Sequence, residues 1–208
     1  MAMKKRALSI SLLLACAGMV SLCKAAPESF DFKDPKTVNN VVFRTDALLE
    51  SINGTGTGIS GRVDFDPENP SAMKGKIVLE TMSLTVPNPT MQGHLRGATW
   101  LDAAKYPHIT FEALSVANVK GQDNKWTADV TGDLTVKNVT KRITVPVKIA
   151  FLKDKLGQRI PNVQGDLLVL RAQFTIKRSD YNINKGNAED KVSDDIDLTL
   201  SLAGQAPR

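Results

Sequence analysis

The chain has 208 residues and a formal net charge of +5, from 27 Lys plus Arg against 22 Asp plus Glu. Lys4, Lys5, Arg6 and Lys24 fall in the first 25 residues, which carry no acid. The remaining 183 therefore hold 23 bases against 22 acids, too even a balance for a surface built to neutralise nucleic-acid phosphates. Both cysteines, Cys16 and Cys23, share that leading segment, so disulfides, thiolate zinc sites and cysteine nucleophiles are excluded from the rest of the chain.

Met1–Arg6 is basic, Ala7–Leu22 is apolar or small, and Cys23-Lys24-Ala25 offers a small residue for cleavage. That order is the pattern of an export signal, and its apolar run of about 16 residues falls short of the roughly 20 that span a bilayer. Residues 1–25 are therefore expected to be a signal peptide cut near Ala25, with residues 26–208 forming a single domain. Leu13-Leu14-Ala15-Cys16 loosely resembles a bacterial lipobox, which would instead leave a lipid on Cys16.

Along the body the dominant apolar period is two, the mark of strands with one buried face. Weak alternation runs through Val38–Thr45, Ala47–Ile52, Ile59–Phe65 and Lys76–Met82. Gly54, Gly56, Gly58 and Gly61 read as a bent turn between two of these strands, with bulges allowed. Asp66-Pro67-Glu68-Asn69-Pro70 reads as a turn, since it lacks the glycine and glutamate spacing of a calcium loop. Between Pro89 and Tyr106 the rhythm changes: Met91, Leu95, Ala98 and Leu101 recur at helical spacing, predicting one short amphipathic helix. Strands resume at Ile109–Val119 and at Trp126–Val136. The clearest alternation follows, in Ile143–Phe151, Leu168–Ile176 and Ile196–Leu202. Pro146 within a strand points to an edge or a bulge, because proline cannot donate to the ladder.

Eight or nine such strands with one interrupting helix predict an all-β fold, an antiparallel barrel of about eight strands. A barrel of that size is either filled by side chains or just wide enough for one small ligand. By parity Phe111, Trp126, Val147, Ile149, Leu170 and Phe174 face the lumen. Leu95, Trp100, Leu101 and Tyr106 belong to the helical segment. They touch a ligand if the helix covers the mouth, and are core beneath a loop if it does not. His94 and His108, the two histidines, lack a third ligand for a metal site. His94 is either a polar contact to a head group or a structural hydrogen bond. Arg178-Ser179-Asp180 could receive a phosphate or quinone head group, or could bond backbone where the chain leaves a strand. No nucleophile is paired with a base, so no enzyme is expected.

The linear order of several motifs carries a resemblance. Phe65-Asp66-Pro67-Glu68-Asn69-Pro70 is followed by His94-Leu95-Arg96 and Trp100-Leu101-Asp102. Tyr106-Pro107 with Ile109-Thr110-Phe111 comes next, then Gly132-Asp133-Leu134-Thr135-Val136 with Val139-Thr140-Lys141, and last Arg178-Ser179-Asp180-Tyr181. In this order they resemble the YceI-like, or polyisoprenoid-binding domain, family over roughly residues 28–204. The chain departs from the family pattern at Met91-Gln92-Gly93, Gly97 and Trp100-Leu101. The resemblance implies a lipocalin-like barrel, covered at one end by the short helix, in an exported, periplasmic bacterial protein. Its lumen would hold a long amphiphile (a polyisoprenoid, an isoprenoid quinone or a fatty amide) non-covalently for transport, storage or sequestration, with no other cofactor. The alternative is a non-catalytic envelope accessory protein with a filled barrel. Transient contact with a membrane or an envelope protein, and pairing of two copies through an exposed edge, are compatible with either.

Overall fold

A strand that alternates apolar and polar residues must bury one face and wet the other, and a sheet of such strands buries its apolar face by closing on itself. The computed structural model describes residues 27–34, 36–187 and 190–208. The expected leader, with Cys16 and Cys23, lies outside the described residues. Ten antiparallel strands follow in chain order: β1 (Glu28–Asp31), β2 (Asn40–Asp46), β3 (Ser51–Gly56), β4 (Ile59–Phe65), β5 (Lys74–Glu80), β6 (His108–Gln122), β7 (Lys125–Val136), β8 (Val139–Leu152), β9 (Gly165–Lys177) and β10 (Asp195–Pro207). Two helices interrupt them, α1 (Pro89–Arg96) and α2 (Leu156–Arg159).

Eight strands make the closed ring. β4 to β10 pair in sequence, and β1 joins β4 to β10, with Asp31 opposite Gln205. The antiparallel barrel read from the sequence is thus the observed fold. β1 covers only the last part of β10. β2 takes the same edge further along, setting Asn40–Arg44 against Asp197–Ser201, and β3 runs back beside β2. Thr55 of β3 exchanges backbone hydrogen bonds of 2.9 and 2.7 Å with Thr85, fastening this hairpin to the segment after β5.

The long strands owe their register to tight turns. Asp123-Asn124 and Lys137-Asn138 each place two consecutive residues at positive φ, the geometry of a two-residue hairpin turn whose twist matches the strands it joins. β7 then pairs with β8 without a slip from Lys125 opposite Ala150 to Val136 opposite Val139. The bulges fall in β6, between Ala113 and Ser115 and between Ala117 and Lys120. Pro146 is an edge of another kind: β8 pairs with β9 only over Val147–Leu152, so the ladder stops at the residue with no N–H to give.

Two expectations are corrected, and one strand is added to those read from the sequence. Gly54 and Gly56 lie within β3 and Gly61 within β4, not in a loop. A Cβ on Gly54 would stand 2.2 Å from the Phe43 ring, so that glycine lets an aromatic side chain cross a strand. Residues 47–50 are the turn between β2 and β3, not part of a strand. β1 escaped notice because four residues are too few to display a period.

α1 starts as its sequence dictates. The Asn88 side chain accepts from the N–H of Thr90 (2.9 Å) and Met91 (3.2 Å), and Pro89 fills the first turn, where its missing N–H costs nothing. The helix is two turns long and ends before Gly97. Gln92 clamps it to the wall, accepting from Val86 N–H (2.8 Å) and donating to the Leu84 carbonyl (2.9 Å).

Candidate functional site: an apolar cavity under the helix

The two ends of the barrel are packed differently. At the end formed by β1, the start of β7 and the close of β8, aromatic rings meet across the axis. Phe65 stands edge-on to Trp126 at 5.5 Å, and Phe151 lies 6.3 Å from Phe65 and 6.2 Å from Phe30. Phe30, Phe32, Phe65 and Leu168 are fully buried. A Cβ on Gly204 would be 2.5 Å from the Phe32 ring, so glycine there lets the last aromatic reach the wall. This end is solid.

Beyond that floor the interior is a cavity of about 630 Å³. Leu198, Leu200 and Leu202 line it from β10, Leu170, Phe174 and Ile176 from β9, and Val130, Leu134 and Val136 from β7. Val41 and Phe43 of β2 close one side, and Met91, His94 and Leu95 of α1 roof it. Its polar side chains are few. The Thr45 hydroxyl already donates to the Asp195 carbonyl at 3.0 Å, while Glu50, His94 and Lys191 are exposed and mark the mouth together with Leu48 and Leu49. The rest of the lining is apolar but for the indole N–H of Trp100, so the cavity offers a guest chiefly hydrocarbon contact.

Eight of the twelve residues singled out from the sequence stand on this cavity: His94, Leu95, Trp100, Leu101, Phe111, Val147, Leu170 and Phe174. Four do not. Trp126 and Ile149 point inward as parity requires, yet they sit at the level of the aromatic floor, with Ile149 2% exposed. Tyr106 lies outside the lining. The Lys105 ammonium is 5.2 Å from its ring centre, and its carbonyl accepts from the Thr81 hydroxyl at 2.7 Å.

Arg178 is 1% exposed and spends its guanidinium on backbone. Nε donates to the Ser193 carbonyl (3.1 Å), Nη1 to those of Ile183 and Asn184 (3.2 and 3.0 Å), and Nη2 to that of Val192 (3.3 Å). Of its two readings, the backbone one describes this geometry, and the segment it gathers supplies Ile183, Lys191 and Val192 to the cavity. Beside it Tyr181 is 1% exposed with its hydroxyl unpaired. Burial, aided by the neighbouring Asp180 carboxylate, pushes that phenol up to about 12.

Sequence reasoning passed over Val41, Phe43 and Met91, which the structure places on the cavity. The alternation of β2 was visible, but no pattern in one chain tells which level of a strand faces space and which faces a plug. Among the described residues no three His, Asp or Glu side chains gather as a metal site would need.

A closed antiparallel barrel, solid at one end and hollow under a helix at the other, is a lipocalin-like cavity barrel. The chain belongs to the YceI-like family, whose domain model matches residues 34–203. Protein YceI of Escherichia coli O17:K52:H18 is 34% identical over 151 residues, which cover 73% of this chain and 72% of that one. Among solved structures, BcnA of Burkholderia cenocepacia superposes with a TM-score of 0.66 at 23% identity, covering 79% of this chain and 95% of BcnA. A polyisoprenoid binding domain from Saccharophagus degradans, implicated in plant cell wall breakdown, gives 0.62 at 14% identity over 87% of this chain and 99% of that one. At those identities the last two speak for the fold alone.

Proposed function

We propose that this protein is a non-catalytic binding barrel that takes the hydrocarbon part of an amphiphilic lipid out of water and holds it for transport, storage or sequestration. The observation that carries this reading is the apolar lining of the cavity of about 630 Å³, whose charged side chains, Glu50 and Lys191, are exposed. Burying about 300 Å² of hydrocarbon yields roughly 7 kcal/mol before association costs, less than the roughly 8 kcal/mol that micromolar binding needs, so a tightly held guest must bury more chain or add head-group contacts at the mouth. The head group then rests at the mouth, where His94, Glu50 and Lys191 offer polar contacts.

Depth bounds the guest. Along β10 the lining runs from Ile196 to Leu202, about 20 Å of strand and about 15 Å of depth at a tilt near 40°. A chain advancing about 1.2 Å per bond fills that depth with about a dozen bonds, so a polyprenyl or quinone tail must fold back or protrude. The motifs from Phe65 to Tyr181 that resemble the polyisoprenoid-binding domain family make isoprenoids the class to test first. The basic, apolar, small-residue order of the first 25 residues supports a periplasmic site of action.

Native mass spectrometry and solvent extraction of the protein purified from its own host test the reading. The expected result is one bound amphiphile per chain. Protein that carries no lipid and also ignores a soluble fluorescent fatty-chain probe would overturn it.

A further inference from the structure

Two leucines at the mouth do the opposite of what most of the apolar side chains do. Leu48 is 78% exposed and Leu49 93%, the highest values among the exposed large hydrophobics of the described residues. They form the tip of the β2–β3 hairpin, and the tip is held in place. Ala47 N–H donates to the Glu50 carbonyl (2.7 Å) and Glu50 N–H returns to Ala47 (3.3 Å). Leu48 N–H donates to the Lys191 carbonyl (2.8 Å), Ser193 N–H to the Asp46 carbonyl (2.7 Å), and Ala47 bridges Val192. The backbone is thus pinned to the segment that leads into the neighbouring β10, while both side chains project into water beside the opening of an apolar cavity.

We propose that this tip seats the cavity mouth on a lipid bilayer, with Leu48 and Leu49 inserted among the acyl chains. The proposal rests on the reading that the cavity takes a lipid. Three observations select a bilayer over a protein. The two side chains offer on the order of 300 Å², well below the roughly 800 Å² per partner of a stable protein interface. Ala47, Ile52 and Val192 beside the tip also line the cavity, so a lipid leaving a bilayer at this point meets apolar side chains that belong to the lining. Beside the tip stand Lys191 and Glu50, both exposed and neither in an ion pair among the described residues. These mixed charges on flexible stems suit the zwitterionic headgroup layer above inserted side chains.

Cosedimentation of the mature protein with phosphatidylcholine vesicles tests this. The wild type is expected to partition onto the vesicles, to keep doing so in 0.5 M salt, and to lose at least tenfold in partitioning when Leu48→Ser and Leu49→Ser are combined. The melting temperature should stay put, because neither side chain is buried. Val147→Trp, which blocks the cavity, should dock as the wild type does. Failure of the wild type to sediment, equal sedimentation of the double variant, or release of the protein by salt would each overturn the proposal. So would loss of a solution dimer in the double variant, which would assign the tip to a second copy of the chain. A wild type that docks but takes up no fatty-chain probe from water would sink the cavity reading alone.

Discussion

The same four strands build both halves of this barrel, and they build them differently. β7 gives Trp126 to the floor and Val130 and Leu134 to the cavity; β8 gives Phe151 and Ile149 below and Val145 and Val147 above. β9 gives Leu168 below and Leu170 above, and β10 sets Gly204 against Phe32 while turning Leu198 and Leu200 to the hollow. The alternation that specifies the wall is identical throughout. What separates plug from pocket is the volume of the inward side chain at each level. Where five aromatic rings converge there is no room, and where aliphatic side chains face each other across the axis there is.

The sharpest way to break that contrast is to remove a ring from the floor. Phe65 is fully buried between Trp126 and Phe151, so Phe65→Ala should cost about 3–5 kcal/mol. Val63, two residues along the same face, lines the cavity, so the new void should join the existing one. Denaturant melts should show the loss, and competition between fatty-chain probes should shift preference toward the longer chain. A pocket whose length preference is unchanged would mean that the floor does not set depth.

A pair of substitutions two residues apart sharpens the comparison. Val147→Trp places an indole in the cavity, where binding should fall about a hundredfold, near 2.7 kcal/mol, while the empty space absorbs the ring. Ile149→Trp places the same ring in the packed floor, where overpacking should cost about 1–3 kcal/mol of stability. Probe titrations and thermal melts of the two variants should show opposite losses. If both lose stability equally, the hollow half is not hollow in solution.

How far this division can be read from sequence follows from the same contrast. The strands from residue 108 to the end were legible because a one-sided strand has a period, and the helix was legible because Pro89, Met91 and Leu95 break that period. Parity put Phe111, Val147, Leu170 and Phe174 on the inside together with Trp126 and Ile149, and it could not separate the two sets. Which level a residue occupies depends on the stagger between strands, fixed by the β6 bulges and by how β1 and β2 share one edge of β10. None of that is written in local alternation. Gly54 was misread for a related reason: its neighbour Phe43 lies on another strand, so the need for glycine is visible only after pairing.

The smallest expected effects concern the carboxylates that fasten each end. At the solid end Asp34, its side chain fully buried, accepts from the N–H groups of Val38 (2.7 Å) and Asn39 (2.6 Å) and pairs with Arg159 of α2 at 2.9 Å. At the mouth Asp194 accepts from the N–H of Ser179 (2.8 Å) and its hydroxyl (2.7 Å), beside Arg178. Burial alone would raise both groups. The bonds to Asn39, Lys36 and Arg159 in one case, and to Ser179 with the charges of Lys177 and Arg178 in the other, outweigh it and hold both below the ordinary 3.8. A carboxylate whose pKa is lowered by folding contributes its full stability above the unfolded value, and loses it as pH falls through the folded one. The melting temperature should therefore stay level from pH 8 to about pH 5 and decline below about pH 4. Asp34→Asn should cost about 1–3 kcal/mol at neutral pH, because Arg159 keeps its charge and loses its partner. Asp194→Asn should cost about 1 kcal/mol or less, since an amide oxygen still accepts from Ser179. Melts at neutral pH and near pH 3 should show the deficit of Asp34→Asn shrinking as the wild-type carboxylate takes up its proton. A deficit constant across that range would mean that Asp34 acts through shape alone, and that its charge holds nothing at the solid end.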